Sequence, residues 1–236
     1  MADDLTRRGF WGVAGATAAG GAIAAASAEA AGAEASPGPI KIVAICASPR
    51  KGMSTATTLK VALEAAREVE PDRIEVELIE LADMKINANL AAGIPLEPGE
   101  RDDFPSLVPK LADPKVAGIV IGTPVYFSNM TALCKAFLDR CIAFRKDNFA
   151  LRNKVAGVIA VGAARNGGQL LAVESVQAAL YCQDMIVVQA GAPTTRSGAA
   201  VWNQSNGEVT DDETGMEAAK AVGRKVAEVA LQLGKA

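Results

Sequence analysis

Three stretches of the chain, Pro39–Ala47 (PIKIVAICA), Val116–Phe127 (VAGIVIGTPVYF) and Asn153–Ala163 (NKVAGVIAVGA), are apolar along nearly their whole length. They are rich in Ile and Val and show no polar alternation. A strand of this kind has no face fit for water, so both of its faces must be covered. Each run is followed by a segment with apolar residues at helical spacing. In STATTLKVALEAAREV these are Leu59, Val61, Leu63, Ala66 and Val69, and the helix is expected to be capped by Ser54 or Thr55. Strand, covering helix and next strand in succession leave few solutions other than a parallel sheet with helices on both faces.

The rest of the chain fits that scheme. RIEVELIEL alternates and reads as a second strand nearer an edge. NMTALCKAFLDRCIAF reads as a single helix with Leu133, Phe137, Cys141 and Phe144 on one stripe. GGQLLAVESVQAALYC is a helix, MIVVQAG a fifth strand, and DDETGMEAAKAVGRKVAEVALQLG a closing helix with acids in its first turn. The expected fold is α/β, a doubly wound five-stranded parallel sheet forming one domain over residues 39–236. Two segments resist assignment, Asp83–Asp103 and Ala192–Thr210. Loops of such length in a compact domain serve as lids, ligand rims or partner surfaces.

There is no histidine, which removes the usual general base, the commonest zinc ligand and any Ser-His or Cys-His pair. A net charge of −3 gives no basic face for nucleic acid. The four cysteines, Cys46, Cys134, Cys141 and Cys182, form no CxxC, and all four are expected to be small buried residues. No catalytic side chain and no metal ligand is expected.

Residues 1–35 read as a leader. Thr6-Arg7-Arg8-Gly9-Phe10 matches a twin-arginine export signal, a mildly apolar Gly/Ala stretch runs from Val13 to Ala26, and Ala33-Glu34-Ala35 resembles a cleavage pattern. The stretch is too poor in large apolar residues to span a bilayer stably, so membrane contact is expected only in transit. The expected location is periplasmic or otherwise exported.

In an open parallel sheet, ligands sit at the carboxyl ends of the strands. Three such ends are unusual here. ASPRKGMST offers the hydroxyls of Ser48, Ser54, Thr55 and Thr57 and the charge of Arg50 at a helix start, where backbone N–H groups and the helix dipole attract phosphate. It is neither a Walker loop nor GxGxxG. GTPVYF ends a central strand with two adjacent aromatics, Tyr126 and Phe127, suited to a flat heteroaromatic ligand or, equally, to plugging the sheet end. VGAARNGGQ brings glycines and the donors of Arg165 and Asn166, or is a plain turn before a helix.

Together, Ser48-Pro49-Arg50-Lys51-Gly52 with Ser54-Thr55, Thr123–Phe127 with Lys135–Arg140, and Gly162–Gln169 resemble the flavodoxin-like NAD(P)H-dependent FMN reductases, especially their iron–sulfur flavoprotein branch. The resemblance runs from about Ile40 onward. It implies a sheet of order 2-1-3-4-5 and one FMN per subunit. The phosphate would lie on Ser48, Arg50, Ser54 and Thr55, and the ring against Pro124, Val125, Tyr126 and Phe127 and against the loop of Ala164, Arg165, Asn166, Gly167 and Gly168. It further implies an FMN-dependent oxidoreductase, passing electrons from NAD(P)H or a redox partner to a quinone, metal ion or other small acceptor, and a homodimer or homotetramer. An electron carrier between protein partners, without small-molecule turnover, is the alternative. Two departures stand out. The iron–sulfur branch carries its cluster cysteines in the segment after the second strand, where this chain has MKINANLAAGIPLEPGERDD and no cysteine. Ser54 stands where the phosphate loop usually has Asn.

Overall fold

A computed structural model of the chain describes residues 38–191, 193, 196–204 and 209–234. The segment expected to be a leader, including Thr6–Phe10, lies outside them. The elements in chain order are β1 (Ile40–Cys46), α1 (Ser54–Arg67), β2 (Ile74–Glu80), α2 (Val108–Ala112), β3 (Val116–Pro124), α3 (Ala132–Arg140), α4 (Ile142–Lys146), β4 (Val155–Gly162), α5 (Gln169–Tyr181), β5 (Ile186–Val187), β6 (Ala199–Trp202) and α6 (Glu213–Leu233). All strand pairings are parallel, in the expected order β2-β1-β3-β4-β5. Ala44 of β1 lies between Leu78 of β2 and Val120 of β3.

The apolar runs are explained by two cores, one on each face. Ile42, Ala44 and Cys46 point toward α1 and α6, joining Leu59, Ala62, Val222 and Val226. Val43 and Ile45 point the other way, joining Phe137, Phe144, Val173 and Leu180 of α3, α4 and α5. Each residue advanced along the strand switches face, so a strand covered twice has to be apolar throughout. On the first side, α6 lies against α1 with its backbone in contact. A Cβ on Gly223 would stand 1.9 Å from the carbonyl oxygen of Ala62, so only glycine permits this approach.

Four local expectations are revised. A sixth strand, β6, arises within the 192–210 segment. β5 spans only two residues; the chain leaves the sheet after Val188 and returns as β6, which pairs the other half of β4 from Ile159↔Ala199 to Gly162↔Trp202. The two short strands therefore share one edge of β4. The helix expected over residues 129–144 breaks at Cys141 into α3 and α4. α1 takes Met53 as its N-cap and has no side-chain cap, so neither Ser54 nor Thr55 closes it. Cys182, at the end of α5, is exposed, while the other three cysteines are buried.

The segment 83–103 has its own order. A short 3-10 turn covers Ala88–Ala92, and the backbone of Lys85 and Asn87 is held by the carboxylates of Asp103 and Asp102. Phe104 then enters the core at 6.0 Å, centroid to centroid, from both Phe137 and Phe144. Among the described residues no helix is long and apolar enough to cross a membrane.

Candidate functional site

The loops that follow β1, β3 and β4 come together at the carboxyl edge of the sheet. In the first, the Ser48 side chain is buried and folds the loop locally: the Arg50 N–H donates to Ser48 Oγ at 3.1 Å, and Ser48 Oγ in turn donates to the Arg50 carbonyl at 3.0 Å. Gly52 donates its N–H to Glu80 Oε2 at 2.7 Å, which fastens the loop to the end of β2. Lys51 is engaged by Asp83 at 2.5 Å, and this carboxylate raises the lysine's pKa. Arg50 is exposed and has no carboxylate partner among the described residues. α1 then begins with no side-chain cap and no acid in its first turn. The N–H groups there have no intrahelical acceptor, and the helix dipole is unopposed. With the Ser48 hydroxyl engaged by Arg50, the Ser54 hydroxyl, the free amides of the helix start and one uncommitted guanidinium are a donor set for a phosphate dianion.

The second loop is tied to the first. Thr131 caps α3 by accepting from the Cys134 N–H, and its own hydroxyl donates to the carbonyl of Ala47 at 2.8 Å. Its N–H donates to Thr123 Oγ1 at 3.2 Å. Between them the chain makes a tight turn. Tyr126 and Asn129 exchange backbone hydrogen bonds, and the two residues at the tip, Phe127 and Ser128, have φ of 49° and 61°. These are left-handed values unusual for such residues. The turn throws Phe127 wholly into solvent, at 104% relative exposure, with Tyr126 half-exposed beside it. Neither aromatic plugs the sheet end.

The third loop closes against the second. The Val125 N–H donates to the Val161 carbonyl, and Gly168, at φ 94°, sits so close to the turn that a Cβ would fall 2.5 Å from Ser128 Cα. Gln169 braces the loop from within: its amide donates to the Ala164 carbonyl at 2.6 Å and its carbonyl oxygen accepts from the Gly167 N–H at 2.9 Å. Ala164, Arg165 and Asn166 project at the surface. The outer brace is Trp202, whose Nε1–H donates to the Ala163 carbonyl at 3.0 Å, with the Arg165 guanidinium stacked 4.4 Å from the indole centroid.

The first four candidates thus flank one helix start and the other nine two mutually packed loops. The bracing residues Glu80, Thr131, Gln169 and Trp202 were not among the candidates. Trp202 has no motif around it; its position follows from β6, a strand too short to register as one. The arrangement offers an anion cradle next to two backbone-rich walls with glycines where a planar group could lie, which is a fit for a phosphorylated flat heterocycle.

A thiolate-held cluster does not fit this chain. The segment 83–103 contains no cysteine. Burial pushes the thiol of Cys46 up to about 11 and that of Cys134 up to about 12, and raises that of Cys141 as well, so these groups stay protonated. Among the described residues no cluster of three or more Cys, Asp, Glu or His could hold a metal ion.

Residues 40–199 match the NADPH-dependent FMN reductase family. An iron–sulfur flavoprotein of Methanocaldococcus jannaschii is 35% identical over 199 residues, covering 83% of this chain and all of that protein. A NAD(P)H dehydrogenase (quinone) of Aromatoleum aromaticum is 32% identical over 134 residues, 51% of this chain and 63% of the dehydrogenase. In fold, the flavodoxin WrbA-like protein of Agrobacterium tumefaciens superposes with a TM-score of 0.52 at 21% identity, over 82% of this chain and 98% of that one.

Proposed function

The chain belongs to the NADPH-dependent FMN reductase family, and from that premise we propose that it is an exported enzyme passing electrons from NAD(P)H or a redox partner to a quinone, metal ion or other small acceptor. Its class is that of an FMN-dependent oxidoreductase, and its cofactor is FMN. FMN supplies the electron chemistry when bound; the chain supplies the place. Ser48, Arg50, Ser54 and Thr55 hold the phosphate with hydroxyl, amide and guanidinium donors. Pro124–Phe127 and Ala164–Gly168 flank the ring and keep it at the sheet edge. No side chain has to move a proton as a base, in keeping with a chain that has no histidine.

The observation that carries this reading is the uncapped start of α1, four residues after an exposed Arg50 that has no carboxylate partner among the described residues. A helix left without its own cap or acid is suited to an anion from outside. The test is an absorption spectrum of the purified protein, followed by anaerobic titration with NADH, NADPH and a dithionite control. A spectrum without flavin, unchanged on adding FMN, overturns the assignment.

We further infer that electrons reach the acceptor without a metal cluster. Donor and acceptor then occupy the same place in turn, and initial rates plotted for varied donor and acceptor give parallel lines. Intersecting lines require both to be bound together and contradict this. A homodimer or homotetramer is supported by the exposed apolar group of Tyr126, Phe127, Leu170 and Leu171 near the second and third loops. Light scattering of the purified protein tests it, and a monomer at micromolar concentration refutes it.

A further inference from the structure

We propose that Arg165, held on the face of Trp202, is the docking cation for an anionic oxygen cluster on the reactant that approaches the site, and that Trp202 is its positioning residue. The inference rests on reading the three strand-end loops as the flavin site. Arg67, Arg73, Arg101, Arg140, Arg152 and Arg224 each have a carboxylate within 3.1 Å. At the carboxyl edge of the sheet, Arg50 and Arg165 have none among the described residues. Arg50 serves the phosphate cradle at α1. Arg165 is exposed in the third loop, where the backbone flanks the ring and the guanidinium has no role in the phosphate cradle.

Its position is built. Trp202 pairs with Gly162 at the end of β6, donates its backbone N–H to Asp212 Oδ2 at 2.7 Å, and donates its indole N–H to the Ala163 carbonyl. Asp212 is in turn fixed as the N-cap of α6, accepting from the Gly215 N–H at 3.1 Å. Trp202 is therefore anchored at three points, its backbone to β4 and to the N-cap of α6 and its indole to the third loop. A guanidinium stacked 4.4 Å above it is ordered through its face. The N–H edge stays open to water and can take two oxygens of a phosphate or sulfonate side by side. A lysine in this place could neither stack nor make that paired contact.

The anionic group has two possible sources, a phosphate of the pyridine nucleotide donor or an acidic substituent on the acceptor. NADP+ and a naphthoquinone sulfonate stand for the two, with menadione as the uncharged comparison. The full-length flavin-loaded protein carrying Trp11→Phe has Trp202 as its one tryptophan, so indole emission reports directly on the platform. Saturable change in emission is expected with NADP+, with the sulfonate, or with both. Arg165→Ala weakens that binding about tenfold, a larger loss than any it causes in the menadione KM or in FMN affinity. Added salt weakens the wild-type interaction. With Trp11 retained, and calorimetry as the readout, Trp202→Ala reproduces the loss and Trp202→Phe, which keeps an aromatic face, restores most of it. The effect falls on KM for the anionic reactant more than on kcat. Loss of affinity for NADP+ alone identifies the donor as the source, and for the sulfonate alone the acceptor. Unchanged affinity for both in Arg165→Ala overturns the proposal, as does loss of FMN from that variant, which would make Arg165 a ligand of the cofactor. A wild-type protein that carries no flavin yet loses anion binding on Arg165→Ala overturns the flavin reading and leaves the anion site standing.

Discussion

Arg140 on α3 meets Asp102 of the segment after β2 at 2.6 Å, with the two side chains only 10% and 5% exposed. The same guanidinium nitrogen donates to the Asn87 carbonyl at 3.0 Å and the arginine covers the ring of Phe104 at 4.7 Å, while Asp102 accepts from the Asn87 N–H. One buried pair thus organises a segment that holds no cysteine. Removing one partner of such a pair leaves a buried charge unanswered. Asp102→Asn is expected to cost about 3 kcal/mol, which for a domain of this size lowers Tm by roughly 6–12 °C. The double change Asp102→Leu with Arg140→Met should recover part of that loss. Urea melts of the three proteins decide it; a loss below about 0.5 kcal/mol in Asp102→Asn refutes the account.

Arg50→Ala combined with Ser54→Ala should loosen FMN by about 2–4 kcal/mol, the loss of two charge-assisted contacts. Lys51→Ala should have little effect on FMN, because that ammonium is already paired with Asp83 in an exposed bridge. Calorimetric titration of the apoprotein measures both. Full affinity in the double variant would put the phosphate elsewhere.

Gly168→Ala adds a methyl group 2.5 Å from Ser128 Cα at a φ of 94°. The backbone conformation alone costs an L-residue about 1–3 kcal/mol, and the two loops must part to admit the methyl. Lower stability and weaker flavin retention are expected together. A variant that keeps both would show that the Gly168–Ser128 contact is not what seals the two walls.

With Cys46 at about 11, Cys134 at about 12 and Cys141 also raised, a thiol reagent at pH 8 finds roughly one in a thousand Cys46 groups ionised, and fewer at the others. Exposed Cys182 should therefore react alone in the native protein, and all four in denaturant. Protein purified under anaerobic conditions should contain neither stoichiometric iron nor acid-labile sulfide. Rapid native labelling of more than one thiol, or iron with matching sulfide, contradicts this.

Replacing Arg7 and Arg8 together by Lys should hold the precursor in the cytoplasm, since the motif Thr6-Arg7-Arg8-Gly9-Phe10 is the basis of the export proposal. Fractionation of cells expressing both forms tests it. Equal periplasmic recovery of the variant would remove the basis for that route.

The sheet was readable because β1, β3 and β4 are buried on both faces, and that requirement writes itself into every residue of Ile42–Cys46. The loop proposed to hold the phosphate stood out because hydroxyls, a helix start and an arginine lie close together in sequence. What escaped depends on contacts between distant segments. Ser54 looks like a cap by residue type, but the chain enters α1 one residue earlier, at Met53, and leaves the hydroxyl uncommitted as a cap. β6 is four residues, AAVW, whose strand conformation is imposed by pairing with Ile159–Gly162. Cys182 carries the same chemistry as Cys134, yet one falls at a helix end in water and the other under the sheet.

The contact of Gly223 with Ala62 couples folding to protein synthesis. On its side of the sheet, α1 rests Leu59 on β3 at Gly122, but its Ala62 flank has no cover until α6 exists, and α6 is made long after α1. Through that interval the Ala62 flank of α1 is open to water or to a chaperone. A nascent chain stalled or cleaved before Glu213 leaves this flank uncovered, and bringing the two helices together has to close a long loop.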